Sequence, residues 1–284
     1  MKILGMVFLV ILILACLYLL SLNGRRNAPG VRDFDGWSYA HRGYHDDKEI
    51  PENSLAAFRL AVENGFGAEL DVHLLKDGSL AVFHDWNLKR MTGEDLILEN
   101  LTADQVRNHR LLKTTEHIPL LDEVLEIFAG KTPLIVELKT YRGNYAKLCE
   151  AACRKLDAYT ALYGGRYVVE SFDPRVVCWL RRHRPDIIRG QLSTNLIKED
   201  NDLSLPAAFC GTYLFANFLT RPDFIAYCFG ERKNLSNRLC RSLWRLSGAS
   251  WTIKNENDFR IAKKEGLWPI FEAFDPRKQE KKRR

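Results

Sequence analysis

Glu69 and Asp71 stand two residues apart, flanked in the sequence by two histidines that each sit beside a charged residue, His41-Arg42 upstream and His84-Asp85 downstream. In a β-strand alternate side chains share a face, so Glu69 and Asp71 project together while Leu70 and Val72 pack the other way. Two acids aimed at one point repel unless something positive lies between them. Their hard oxygens suit magnesium, calcium or manganese better than zinc. The segment VELK repeats the spacing with Glu137 and Lys139. Three carboxylates, Glu69, Asp71 and Glu137, can hold one divalent cation and leave positions for water and substrate. Arg42 and Lys139 bring charge suited to a phosphate, the arginine by bidentate contact. His41 and His84 titrate near neutral pH and can move protons. Phosphodiester cleavage needs these parts: a metal to withdraw charge, an acid for the leaving oxygen and a group to activate attack. Taken alone, a Glu-x-Asp pair also fits a salt-bridged strand end; its company with Glu137 and the histidines favours the cation. Ser171, Phe172 and Trp251 are candidate pocket-lining residues, and Glu52 is a candidate support behind the site. Asp85 either orients His84 or caps a turn. Glu272 is placed at the rim, and His45, His73, His109, His117 and His183 receive no role.

These side chains need a scaffold that brings distant segments together. Strand-like runs are expected at Trp37–Gly43, Gly67–His73, Ser79–His84 (after an Asp77-Gly78 turn), Pro133–Lys139, Tyr167–Phe172, Ile187–Leu192, Phe224–Phe229, Ala249–Lys254 and Trp268–Phe274. Helical stretches are expected at Ser54–Asn64, Leu120–Ala129, Tyr145–Leu162 and Asn257–Lys264. Repeated β-then-α units imply a parallel sheet, and about eight such strands over this length imply a closed TIM (β/α)8 barrel. Active sites of such barrels lie at the C-terminal ends of the strands, which is where the histidines and acids fall. Trp86–Glu116 reads as a polar, irregular excursion.

Ile3–Leu22 is uncharged and almost wholly apolar, long enough to cross the hydrocarbon core as a helix. It exceeds the apolar core of a cleaved signal, so residues 1–23 read as a single-pass membrane anchor. Residues 24–36 read as a linker, 37–276 as the catalytic domain and 277–284 as a basic tail. Arg25, Arg26 and Arg32 after the apolar run place the catalytic domain in the cytoplasm by the positive-inside tendency. The net charge is +6, and the last eight residues alone carry six basic side chains and one acid. The body of the chain is therefore near neutral, without the basic stripe and interleaved aromatics of a nucleic-acid module. The seven cysteines lack zinc-type spacing, and their odd number fits reduced, buried thiols rather than a disulfide framework.

The residues resemble the glycerophosphodiester phosphodiesterase family. The likeness runs through HRG (41–43), PENS (51–54), AFRLAVENG (57–65), ELDVHLLKDG (69–78), HD (84–85) with TG (92–93), IPLLDEVL (118–125) and VELK (136–139). ESFDP (170–174) and WTIKN (251–255) are looser echoes. The resemblance implies a TIM barrel with a small insertion after the second strand, about residues 74–117. It also implies a divalent metal, Mg2+ or Ca2+, on Glu69, Asp71 and Glu137, with His41 and His84 as the acid–base pair. Such proteins hydrolyse glycerophosphodiesters to glycerol 3-phosphate and an alcohol. The alternatives are a membrane-associated lysophospholipase D acting on lysophospholipids and an inactive binding barrel. Where many relatives carry Thr-Asp before the last loop, this chain reads PIFEAF (269–274), so the divergence is expected at the substrate rim.

Overall fold

The computed structural model describes residues 2–46, 48–199 and 202–277, so the basic tail beyond Arg277 lies outside the described residues. Among the described residues nine strands are present: β1 Tyr39–Ala40, β2 Gly67–Leu74, β3 Leu80–Val82, β4 Leu134–Leu138, β5 Tyr167–Ser171, β6 Arg189–Ser193, β7 Phe224–Cys228, β8 Ser247–Ile253 and β9 Trp268–Phe271. Eight of them run parallel in the order β1-β2-β4-β5-β6-β7-β8-β9, and β1 pairs with both β2 and β9, closing the barrel. The ninth, β3, pairs antiparallel with β2. The Ser79–His84 segment is thus a hairpin arm outside the barrel wall, as the tight Asp77-Gly78 turn requires.

Helices cover the outside: α1 Lys2–Ser21, α2 Leu55–Glu63, α3 Lys89–Thr92, α4 Ala103–Val106, α5 Leu121–Phe128, α6 Tyr145–Tyr163, α7 Pro174–His183, α8 Leu205–Thr212, α9 Asn217–Thr220, α10 Leu235–Ser242 and α11 Glu256–Lys264. Their starts are written locally. Ser54 caps α2 by accepting from the Ala57 N–H, and Asp173 caps α7 with Pro174 in the first turn. Alternation then divides each strand. Ala68, Leu70 and Val72 of β2 and Leu134, Val136 and Leu138 of β4 pack outward against the helices. Tyr39, Ile135, Val168, Phe224 and Trp268 point inward and fill the lower barrel.

Three segments depart from expectation. Trp37–Gly43 contributes only two residues to the sheet, because Arg42 and Gly43 adopt φ values of 53° and 82° and turn the chain away. Residues 24–36 are not a free linker. Ala28, Val31 and Phe34 are buried, Tyr39 Oη donates to the Phe34 carbonyl, and the Phe34 ring lies 5.7 Å from Trp268, so the segment plugs the barrel floor. The excursion after β2 has its own small core of Leu75, Phe83, Leu88, Met91, Leu98, Val106 and Ile118. It is therefore a packed platform from which His84 and Asp85 are presented.

α1 has 20 residues with a mean hydropathy of 3.1 and none buried, which makes it long and apolar enough to cross a membrane. All seven cysteines are unpaired; Cys149, Cys153 and Cys240 are buried, whereas Cys16 and Cys210 are exposed.

Candidate active site

The site is assembled on adjacent barrel strands at their C-terminal ends. In the sheet register Asp71 lies opposite Glu137, and Glu137 opposite Glu170, so β2, β4 and β5 present a row of inward acids. Ligand oxygens of Glu69, Asp71 and Glu137 all lie within 4.8 Å of one another, and the three residues are 3%, 1% and 5% exposed. Burial, then Asp71 and Glu137, push the Glu69 carboxyl well above its usual range. Burial also raises Glu137, to about 7, with Lys139 pulling down and Asp71 pushing up. Asp71 goes the other way: against the effect of burial, Lys139, His84, Arg42 and a hydrogen bond from Asn53 Nδ2 (2.8 Å) hold it well below the ordinary range.

This donor set fits a hard divalent cation. It is all oxygen, converges within ligation reach, and carries more buried negative charge than its own cations offset. Glu170, to which the sequence gives no role, adds to the excess. It is buried in the same wall, and its Oε2 has no hydrogen-bond partner among the described residues. Lys139, expected to meet phosphate, instead ion-pairs with two of the acids, its Nζ 3.0 Å from Asp71 Oδ1 and 2.8 Å from Glu137 Oε2. The reason is the alternation that places residues 137 and 139 on one face.

The turn after β1 positions the first imidazole. With φ at 53°, the Arg42 backbone N–H points back to Glu69 Oε2 (3.1 Å), and the Arg42 carbonyl accepts from the Asn53 N–H (2.8 Å). Gly43 is required twice, by its φ of 82° and because a Cβ there would meet the Ala57 Cβ at 2.8 Å. His41 Nδ1 lies 2.6 Å from Glu272 Oε2, and its Nε2 lies 4.0 Å from Glu69 Oε2. Burial holds His41 below the usual imidazole range, while Glu272 pulls upward. Although burial opposes it, the hydrogen bonds to His41 and Lys254 hold Glu272 at about 2. In the tautomer with its hydrogen on Nδ1, His41 donates to the Glu272 carboxylate and leaves Nε2 facing Glu69. Glu272, placed at the rim from sequence, contacts His41 directly, so the PIFEAF segment reaches the candidate site. His45, given no role from sequence, has Nε2 4.0 Å from the same Glu272 oxygen.

His84 is held in a parallel way. Its Nδ1 lies 2.6 Å from Asp85 Oδ1, which decides between the two readings of Asp85 in favour of orientation. Arg90 Nε donates to Asp85 Oδ2 (2.7 Å), Arg90 Nη2 donates to Glu52 Oε1 (2.6 Å), and Arg42 Nη1 donates to the same Glu52 oxygen (2.9 Å). A continuous chain thus links the mounts of both histidines, with Glu52 at its centre. Burial and Lys139 lower His84 from its usual range. His73 also supports it: Nδ1 contacts Glu99 (2.6 Å) and Nε2 lies 3.3 Å from the His84 carbonyl.

His41, Arg42, Glu69, His84, Glu137 and Lys139 line one cavity of about 110 Å³, closed on its far side by Phe172 and Trp251, whose rings meet edge-on at 5.7 Å. A wider cavity of about 790 Å³ continues outward past His84, Lys139, Ser171 and Phe172. Ser171 Oγ donates to the Leu138 carbonyl (2.7 Å), fixing β5 against β4.

Residues 41–272 match the Glycerophosphoryl diester phosphodiesterase family. A glycerophosphodiester phosphodiesterase of Caldanaerobacter subterraneus subsp. tengcongensis is 34% identical over 161 residues, 54% of this chain and 65% of that relative. Glycerophosphodiester phosphodiesterase 1 of Homo sapiens is 36% identical over 159 residues, which span 52% of this chain and 46% of the human one. An Oleispira antarctica phosphodiesterase, solved in complex with the product sn-glycerol-3-phosphate, shares the fold with a TM-score of 0.69 at 21% identity, covering 89% of this chain and 98% of that one.

Proposed function

Since this chain belongs to the glycerophosphoryl diester phosphodiesterase family, we propose that it hydrolyses glycerophosphodiesters to glycerol 3-phosphate and an alcohol at the mouth of the barrel. The observation that carries this is the convergence of three buried acids with two imidazoles, each oriented through Nδ1 by its own carboxylate. Glu69, Asp71 and Glu137 would hold a divalent cation, Mg2+ or Ca2+, which when bound supplies charge withdrawal from the phosphate oxygens. Arg42 is fixed by Glu52 with its side chain lining the small cavity, and there it meets the phosphate. Lys139 neutralises Asp71 and Glu137 and limits the charge the acids present to an incoming anion. Of His41 and His84, one protonates the leaving oxygen and the other takes a proton from the attacking water or glycerol hydroxyl. Trp251 and Phe172 exclude solvent from the far wall.

The apolar α1 serves as a retained membrane anchor, with the barrel on the cytoplasmic side; Arg25 and Arg26 immediately after it support that orientation. The test is product analysis on a panel of glycerophosphodiesters with the full-length protein, after chelation and with each cation restored. His41→Ala and His84→Ala should each lower kcat by ~10²- to 10⁴-fold with the fold retained. Near-wild-type turnover by either variant overturns the assignment.

A further inference from the structure

His45 sits beside His41 without a part in the diester chemistry. Its side chain is 5% exposed, and its Nε2 lies 4.0 Å from Glu272 Oε2. That same oxygen is 2.6 Å from His41 Nδ1. One ligand atom each from His41, His45 and Glu272 thus fall within 4.8 Å of one another. This group shares no residue with Glu69, Asp71 and Glu137, and the His41 ring stands between the two sets. Nδ1 faces Glu272, while Nε2 faces Glu69 at 4.0 Å.

The backbone brings the two rings together. His41 and His45 are four positions apart, a spacing that sets side chains side by side on a helix. Here the turn after β1 does it, with φ of 53° at Arg42 and 82° at Gly43. The Tyr44 N–H donates to the Ala57 carbonyl (3.0 Å) and the His45 N–H to the Gly43 carbonyl (3.1 Å), which holds the loop in place. β9 closes onto β1, and the residue that follows it, Glu272, arrives against both rings.

Two imidazoles and a carboxylate are donors for zinc rather than for magnesium or calcium, which take oxygen ligands. Four-coordinate zinc holds such ligands at about 2.0–2.1 Å, which puts neighbouring ligand atoms ~3.3 Å apart. The separations of 2.6 and 4.0 Å bracket that value, and the 4.8 Å limit leaves at most ~1.5 Å to close. Lys254 Nζ engages the other Glu272 oxygen, Oε1, at 2.8 Å, so Oε2 is the one turned to the rings. A fourth position is left for water.

We propose that His41, His45 and Glu272 form a second, inhibitory cation site selective for zinc, which takes His41 out of the reaction. The inhibition rests on the phosphodiesterase reading; the binding does not. Zinc at Nδ1 replaces the hydrogen that Nδ1 gives to Glu272, and the remaining N–H of the ring is at Nε2. Such a ring has no lone pair left to accept a proton from an attacking water or hydroxyl. Nor does it donate as an imidazolium, since that form carries hydrogens on both nitrogens. The block is therefore the same whichever role His41 has.

The experiment uses the untagged full chain in detergent with Mg2+ saturating. Co2+ is titrated as the spectroscopic stand-in for zinc, because four-coordinate cobalt absorbs strongly in the visible and six-coordinate cobalt on oxygen ligands absorbs weakly. Wild type and the Glu69→Gln/Asp71→Asn double variant should both give the strong absorption, and Zn2+ should displace it. His45→Gln and Glu272→Ala should weaken Co2+ binding by at least ~10-fold, the cost of losing even an outer partner of a metal ligand. Zn2+ should lower glycerophosphocholine turnover by ~10²-fold or more in wild type, and His45→Gln should keep most of its own turnover when Zn2+ is added. No strong absorption in wild type, its loss in the double variant, or equal absorption in His45→Gln and Glu272→Ala overturns the site. Equal zinc inhibition of wild type and His45→Gln overturns its inhibitory role. A wild type without turnover in the absence of zinc would sink the phosphodiesterase reading, and the cobalt spectra would still decide the site.

Discussion

Glu272 offers a test that separates the roles of the two imidazoles. Glu272→Gln keeps the shape but exchanges the charge-assisted contact at His41 Nδ1, 2.6 Å long, for a neutral one. A hydrogen bond to a charged group contributes ~1.5–3 kcal/mol, against ~1 for a neutral pair. If the difference, ~0.5–2 kcal/mol, is lost from the transition state, kcat/KM falls by ~2- to 30-fold. Substrate affinity should change little, since Glu272 touches His41 and not the cavity floor. The pH profile carries the sharper signal. Burial depresses His41 and the Glu272 contact opposes that depression, so removing the carboxylate lets His41 fall further. If His41 accepts a proton in the reaction it must start neutral, and the acidic limb of kcat/KM moves to lower pH. If it donates, it must start protonated, and the basic limb moves to lower pH. The direction is common to both, and the limb that moves names the role. Lys254→Met is the control: Lys254 Nζ lies 2.8 Å from Glu272 Oε1, but its side chain is 67% exposed, so its loss is worth ~0–1 kcal/mol. A Glu272→Gln enzyme with unaltered kcat/KM and unmoved limbs would refute the orientation of His41 by Glu272.

In chelator, the crowded acids should make stability pH-dependent. Glu137 titrates at about 7 in the fold against 4.5 ordinarily, so across that window the native state holds a proton the unfolded chain has lost. The native state binding more protons means that stability falls as pH rises from about 4.5 to about 7. With EDTA present, the unfolding temperature of Glu137→Gln minus that of wild type should rise with pH across this window, because only wild type loses the Glu137 contribution, and restored cation should shrink the difference; a difference independent of pH contradicts the crowding. Gly43→Ala places a side chain at φ 82° against Ala57 and should cost ~1–3 kcal/mol, read as a lowered urea midpoint, together with reduced activity from displacement of the His41-Arg42 turn. A variant with wild-type midpoint and activity would show that the turn tolerates a Cβ.

The barrel was legible because its strands are coded by period alone: apolar outward at Leu70, Val72, Val136 and Leu138, with acids on the alternate positions. The same rule places Glu170 two residues after the inward Val168, and Glu272 two after the inward Ile270. From the sequence Glu170 receives no role, and Glu272 only a place at the rim. What period cannot supply is pairing. His41 and Glu272 are 231 positions apart, and only closure of β9 onto β1 brings them together. Residues 24–36 failed for a different reason. Their composition is that of a linker, yet Ala28, Val31 and Phe34, three apart, suffice to bury one turn of 3-10 helix against Trp268. The excursion after β2 likewise hid its core, because its apolar residues follow neither helical nor strand spacing over any long run.

The mouth of the barrel is divided in two. The buried acids proposed to hold the cation, with Arg42 and Lys139, lie on or directly after β1, β2 and β4, whereas a second cavity of about 570 Å³ is lined by Gln191 and Leu192 of β6 and by Ala207, Cys210 and Gly211 of α8, and shares Thr140, Phe172 and Asp173 with the mouth. α1 ends on the apolar side, against Phe215 and Trp244. A tether that merely kept the protein near a membrane would need no such register, and residues 22–34 would be free to act as a flexible leash. Instead Leu22 is fully buried, Arg25 ion-pairs with Asp223 at 2.5 Å, and Phe34 seals the barrel floor. The connection between α1 and the barrel is therefore packed along its length, and one orientation of α1 fixes one orientation of the mouth. With α1 as the proposed membrane anchor, a rigid mount of this kind sets which face of the barrel lies nearest the lipid.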